Sequence, residues 1–155
     1  MFTLVDLDVT YIPTPRGIVR QMLLLAGLRR GETLFDLGAG DGRILVEAAR
    51  KFGARAKGIE IDPERVRRIK ERLLATGVDA EVIQADFMTV DLSSANVVAM
   101  YLSDSANSRL APKLKRELRG GTRVVSLDYT LPGWAPVKEL IAKGALRRKV
   151  YLYRV

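Results

Sequence analysis

Apolar residues near the start of the chain return every three to four positions. Ile18, Val19, Met22, Leu23, Leu25 and Ala26 form one stripe and predict a helix over residues 14–28. Thr14-Pro15 predicts its start, a capping hydroxyl followed by proline at the first helical position. Helical spacing recurs from Arg43 to Arg50, from Pro63 to about Ala75 with Val66, Ile69 and Leu73 turned inward, and at Leu110, Leu114 and Leu118. Between these stretches lie short apolar runs of strand length: Thr33 to Leu37, Lys57 to Ile61, Ala80 to Gln84, Ala95 to Leu102 and Thr122 to Asp128. Val137 to Ile141 and Arg147 to Val155 flank Gly144 and read as a hairpin. Residues 1–13 keep neither period and contain Pro13, so they read as an arm.

Strands alternating with helices predict an α/β, doubly wound, mostly parallel sheet closed by a C-terminal antiparallel hairpin. The expected organisation is a single domain over residues 1–155, with a 1–13 arm, a 14–28 first helix and a Rossmann-like core over 33–155. Asp128 to Val137 leaves no room for a crossover helix, and Ala85 to Ser94 leaves room for one helical turn at most. The fold is therefore expected in a trimmed form.

Composition narrows the chemistry. The 155 residues contain neither cysteine nor histidine, which excludes disulfides, thiolate metal sites, cysteine nucleophiles and Ser-His arrangements, and removes the usual general base. No metal is expected. The N-terminus carries acids where a signal peptide carries bases, and no stretch reaches the ~18 apolar residues of a membrane span, so the expected location is cytoplasmic, away from any membrane. A net charge of +8 raises nucleic acid as a neighbour. Yet the basic residues are scattered, and Asn and Gln are confined to Asn96, Asn107, Gln21 and Gln84, so a thermophile's solvated surface explains the charge equally well.

The segment Asp36-Leu-Gly-Ala-Gly-Asp-Gly42 stands where the first strand gives way to a helix, the place at which this fold binds nucleotide-like ligands. Its G-x-G-x-G spacing differs from the G-x-G-x-x-G of dinucleotide sites, and Asp36 lies two residues before the first glycine. Glu60 closes the second strand 22 residues after Gly38, placed to accept both hydroxyls of a ribose.

These segments, with Gly58-Ile-Glu60-Ile-Asp62-Pro63, resemble motifs of class I, seven-strand S-adenosylmethionine-dependent methyltransferases. A narrower resemblance rests on Tyr11-Ile-Pro-Thr-Pro15, Asp86-Phe87, Gly121 to Ser126 and Pro132-Gly-Trp134. It points to the archaeal broad-specificity protein-lysine methyltransferases and the enzymes that methylate a lysine of the ATP synthase c subunit. Methyl transfer from a sulfonium suits a chain without histidine, because the donor is already activated.

The resemblance implies S-adenosyl-L-methionine as cofactor, and protein substrates bearing exposed lysines as partners of a monomer. It further implies that Asp36 serves the cofactor's ammonium end, that Gly38, Gly40 and Gly42 let backbone approach its methionine, and that Glu60 binds the ribose. Ile61 is expected on the adenine face, with Asp86 and Phe87 at the adenine amino group and ring edge. Tyr11 is expected near the methyl group and Thr14 at the carboxylate, where a helix N-terminus also favours an anion; the bland reading of Thr14 is a cap. For the acceptor channel, Tyr101, Tyr11 and Trp134 are the catalytic candidates, with Asp128 a weaker one. Met100-Tyr101-Leu102-Ser103-Asp104 lacks the Asn/Asp-Pro-Pro-aromatic signature of nucleic-acid and glutamine amino-methyltransferases, which argues against the alternative of an RNA or DNA methyltransferase. A non-catalytic nucleotide-binding module, for NAD for example, is the other alternative.

Overall fold

The computed structural model of the chain describes residues 14–144 and 147–155. Seven strands form one sheet: β1 (Thr33–Leu37), β2 (Arg55–Glu60), β3 (Ala80–Gln84), β4 (Val97–Met100), β5 (Arg123–Leu127), β6 (Lys138–Ala142) and β7 (Arg148–Arg154), in the spatial order β3-β2-β1-β4-β5-β7-β6. The first five run parallel, whereas β7 is antiparallel to both β5 and β6. This is the expected doubly wound sheet with its closing hairpin.

The period-two alternation divides the core. Leu34, Ala56, Val97, Ala99, Val125 and Val150 face helices α1 (Arg16–Leu25), α2 (Arg43–Phe52) and α3 (Pro63–Thr76). Phe35, Leu37, Ile59, Val98, Met100 and Tyr153 face α4 (Asp104–Glu117) and the 3₁₀ turn Phe87–Thr89. That turn is all that separates β3 from β4, and no helix lies between β5 and β6, so the trimming expected from the short connections is present.

Two boundaries differ from expectation. Pro15, not Thr14, occupies the cap position of α1, whose first turn closes through the Pro15 carbonyl. Thr14 is thus buried without capping the helix. Helix α4 begins at Asp104, well before Leu110, because the Ser103 hydroxyl accepts from Ala106 N; its first buried residues, Ala106 and Asn107, are too small or too polar to read as an apolar stripe.

One ion pair, between buried Arg123 and half-buried Glu32, fastens β5 to the end of α1. The Arg123 guanidinium donates to the carbonyls of Ala26 (2.9 Å) and Gly27 (3.2 Å) and to both carboxylate oxygens of Glu32. Burial works to raise the Glu32 carboxyl, but Arg123 and the Arg29 amide hold it below the usual carboxylate range. Arg123→Ala should lower unfolding free energy by about 1–3 kcal/mol, because it leaves two carbonyls and one side of a half-buried carboxylate without their donor, whereas the pair Arg123→Met with Glu32→Gln should cost less. Denaturant unfolding of both variants measures the difference.

Candidate active site

The strand order reverses at β1: the chain moves outward from β1 to β2 and β3, then returns to pair β4 on the other side of β1. In open α/β sheets the crevice beyond the C-terminal strand ends at such a point is where ligands bind. Asp36 and the glycine turn stand at its mouth. Gly38, Gly40 and Gly42 take positive φ of 78°, 62° and 83°. At Gly38 the requirement is double, since a Cβ there would stand 2.8 Å from Leu102 Cδ2.

The two carboxylates are built into the turn from opposite sides. Glu60, 4% exposed, accepts from Gly40 N through Oε1 (2.9 Å) and from Asp62 N through Oε2 (3.0 Å), while Arg65 lies 3.8 Å from Oε2. Each carboxylate oxygen has a second lone pair, so Glu60 both fixes the turn and keeps acceptor capacity for hydroxyls. Beneath it, Gly58 admits no side chain: a Cβ would meet Leu45 Cδ1 at 2.7 Å and Ala39 Cβ at 2.8 Å. Asp36 is 2% exposed and has no basic partner among the described residues. Burial first, then the charges of Glu60 and Asp41, push its carboxyl up to about 8. Burial also works to raise Asp41, but hydrogen bonds from Arg43, followed by the charges of Arg43 and Arg72, hold it below the usual range.

A buried acid with no cation beside it is a site prepared for a positively charged group. This fits the ammonium end of S-adenosylmethionine, and the positive-φ glycines fit close approach of its methionine. Thr14 is tied to the same turn, because Arg43 donates to the Thr14 carbonyl (2.8 Å) and to the Asp41 carboxylate. Ile61 lies half-buried between Glu60 and the cap Asp62. Ala85 N donates to the Glu60 carbonyl, which brings Asp86 and Phe87 to the end of β2. There Asp86 caps the 3₁₀ turn by accepting from Met88 N, and Phe87 is buried in the second core.

On the other side of the crevice, Tyr101 follows β4 and stacks on Tyr129, with ring centroids 6.4 Å apart and planes inclined by 22°. The Arg148 guanidinium lies 5.1 Å from the Tyr101 centroid. Trp134 is not brought to this group. Its indole NH donates to the Ala111 carbonyl in the middle of α4, and its ring meets Tyr153 edge-on at 6.0 Å. Tyr11 lies outside the described residues.

A family profile described as the ANTKMT methyltransferase domain matches residues 36–138, from Asp36 to the start of β6. The chain belongs to the ANTKMT methyltransferase family. It is 43% identical over 150 residues to a protein-lysine N-methyltransferase of Saccharolobus islandicus, with 94% of this chain and 92% of that protein aligned. It is 37% identical to the adenine nucleotide translocase lysine N-methyltransferase of Mus musculus, over 94% of this chain and 63% of that protein. Among solved structures, an RNA methyltransferase from Salinibacter ruber in complex with S-adenosyl-L-homocysteine superposes with a TM-score of 0.88 at 41% identity, covering 92% of this chain and 93% of that one.

Three residues of the group around Tyr101 escaped sequence reasoning. Tyr129 and Arg148 reach Tyr101 only through the β5–β7 pairing, and Asn107 looks like any polar helix residue although it is fully buried. The one readable signal was Asp128, an acid ending a buried strand. Its carboxylate is held by Arg148 Nε (2.7 Å) and Lys149 N (3.2 Å), from which it accepts one bond at each oxygen.

Proposed function

We propose that this chain binds S-adenosyl-L-methionine at the ends of β1 and β2 and methylates lysine amines of protein substrates with loose sequence preference, as a cytoplasmic monomer. The observation that carries the proposal is the carboxylate pair: Glu60 locked to Gly40, and Asp36 buried with no cation beside it among the described residues, at the switch point of the sheet. The relatives named as lysine methyltransferases support the acceptor class. Among the described residues no helix is long and apolar enough to cross a membrane.

Bound in this crevice, S-adenosylmethionine supplies a methyl group activated by its sulfonium. Asp36 pairs with the ammonium, Glu60 accepts from the ribose, and the turn at Gly38 lets backbone come close. Ile61, Asp86 and Phe87 border the adenine, Thr14 the carboxylate and Tyr11 the methyl end, while Tyr101 lines the acceptor side. Trp134 serves packing in this reading.

A second reading, methylation of RNA, is favoured by the name of the Salinibacter structure and by a basic cleft of about 490 Å³ between α1, α2 and α3. Arg16, Arg20, Arg43, Arg50, Lys51 and Arg72 line it, against the single acid Glu47. Incubation with labelled S-adenosylmethionine and a mixture of lysine-rich protein and RNA separates the two. Label in the protein fraction is expected; label confined to RNA overturns the proposal.

A further inference from the structure

The turn after β5 is strained, and its strain is held in place from several sides. Asp128 is the one non-glycine of positive φ among the described residues, at 65°. Tyr129 N donates to the Leu127 carbonyl at 2.8 Å, which closes a three-residue turn centred on Asp128. A turn of that kind with positive φ at its centre is rare, and an L side chain there is unfavourable unless its surroundings impose it. Here they do. Asp128 N donates to the Lys149 carbonyl at 2.7 Å, and the Asp128 carboxylate accepts from Arg148 and from Lys149 N. The Tyr129 carbonyl accepts from the Ser126 hydroxyl (2.6 Å) and from the Asn107 amide (3.3 Å), a buried polar pair in an otherwise apolar layer.

All this bonding fixes one exposed product, the position of the Tyr129 ring against Tyr101. Arg148 links the two ends of the device, since the guanidinium that holds Asp128 also lies against the Tyr101 ring. Both tyrosines are only partly buried, and they stand at the C-terminal ends of β4 and β5, one and two strands from the Asp36 crevice. Two stacked, partly exposed rings offer a surface for a long aliphatic stem that carries a polar tip, which is the shape of a lysine side chain.

We infer that Tyr129 is a specificity-determining residue that forms, with Tyr101, the wall on which the acceptor lysine lies, and that Asp128 and Arg148 are positioning residues that hold it there. The inference rests on the lysine-methyltransferase reading above. Tyr129→Ala should raise KM for a synthetic lysine-rich peptide about tenfold or more while kcat falls less than about threefold, because the wall contributes binding shared by ground and transition states. Calorimetric affinity for S-adenosylmethionine should stay within about twofold of wild type, since the cofactor cradle is on β1 and β2. Tyr129→Phe, which keeps the ring, should behave as wild type.

Asp128→Gly supplies the discriminating variant. Glycine adopts the positive φ freely but cuts the link to Arg148, so a merely structural turn would keep its KM in enzyme that circular dichroism shows to be folded at the assay temperature, whereas a positioning role predicts the KM of Tyr129→Ala in that folded enzyme. Wild-type enzyme that labels the peptide, together with a Tyr129→Ala enzyme of unchanged KM, overturns this inference alone. Wild-type enzyme that labels RNA and leaves the peptide blank overturns the reading beneath it instead.

Discussion

Asp36→Asn should weaken S-adenosylmethionine binding by roughly ten- to a hundredfold and at the same time make the ligand-free protein more stable. The first effect is the loss of a charged hydrogen-bond partner for the ammonium, about 1.5–3 kcal/mol. The second follows from the proton. Burial and the neighbouring acids push the Asp36 carboxyl to about 8 from an ordinary value of 3.8. Between those values the native chain holds a proton that the unfolded chain has lost, so this group's contribution to stability is complete below pH 3.8 and is lost as pH rises through 8. Asparagine carries no such titration. The stability advantage of Asp36→Asn over wild type should therefore grow from about pH 5 to about pH 8, and thermal melts at the two pH values measure it. Identical differences at both would show that Asp36 is ionised in the empty site. The same proton gives wild-type affinity a pH dependence. Charging Asp36 beside the ammonium requires its release, so S-adenosylmethionine should bind more tightly as pH climbs toward 8, while the Asn variant stays flat.

The second large effect concerns proton removal from the acceptor. Lysine, with a pKa of ~10.4, is neutral to about one part in a few thousand at pH 7, and only the neutral amine accepts a methyl group. The chain has no histidine, and Asp128, the acid nearest Tyr129, is ion-paired with Arg148 and accepts from Lys149 N. The route proposed here is desolvation of the amine against aromatic rings, with water as the proton acceptor. At saturating cofactor, the single-turnover rate should climb about tenfold per pH unit from neutral toward pH 9. Tyr101→Phe should keep most of that activity and its slope, because the ring stays. Tyr101→Ala should lose at least about tenfold, since the wall and the Arg148 contact both go. A Tyr101→Phe enzyme without activity, or with a flat profile, would make the hydroxyl the base.

How far the site could be read in advance depended on whether its signal was local. Asp36, the glycines and Glu60 lie at fixed offsets around strand ends, and strand, glycine turn and helix are short-range patterns, so the meeting of these residues at one turn and the sheet itself were legible. The helix starts were less so. Thr14 and Pro15 present two adjacent residues fit to begin a helix, and the choice fell to Pro15 because Thr14 is drawn toward Arg43 through its carbonyl. Helix α4 opens with small and polar residues that are buried only because loop 128–131 covers them, and Asn107 is claimed by the carbonyls of Tyr129 and Thr130. Trp134 carried the right chemistry for a pocket rim, but its indole NH found a carbonyl on α4. The Tyr101, Tyr129 and Arg148 group depends on the antiparallel register of β7 against β5, which no local spacing encodes.

The central claim is that the Asp36 and Glu60 cradle delivers a methyl group to a protein lysine. Its most direct test is acid hydrolysis of the labelled protein substrate followed by chromatographic identification of the labelled residue, for wild type and for Glu60→Ala at limiting and saturating cofactor. The label should be recovered as ε-N-methylated lysine, and Glu60→Ala should transfer at least about tenfold less at limiting cofactor, with recovery at saturation. Label recovered outside lysine, or a Glu60→Ala enzyme equal to wild type at limiting cofactor, would contradict it.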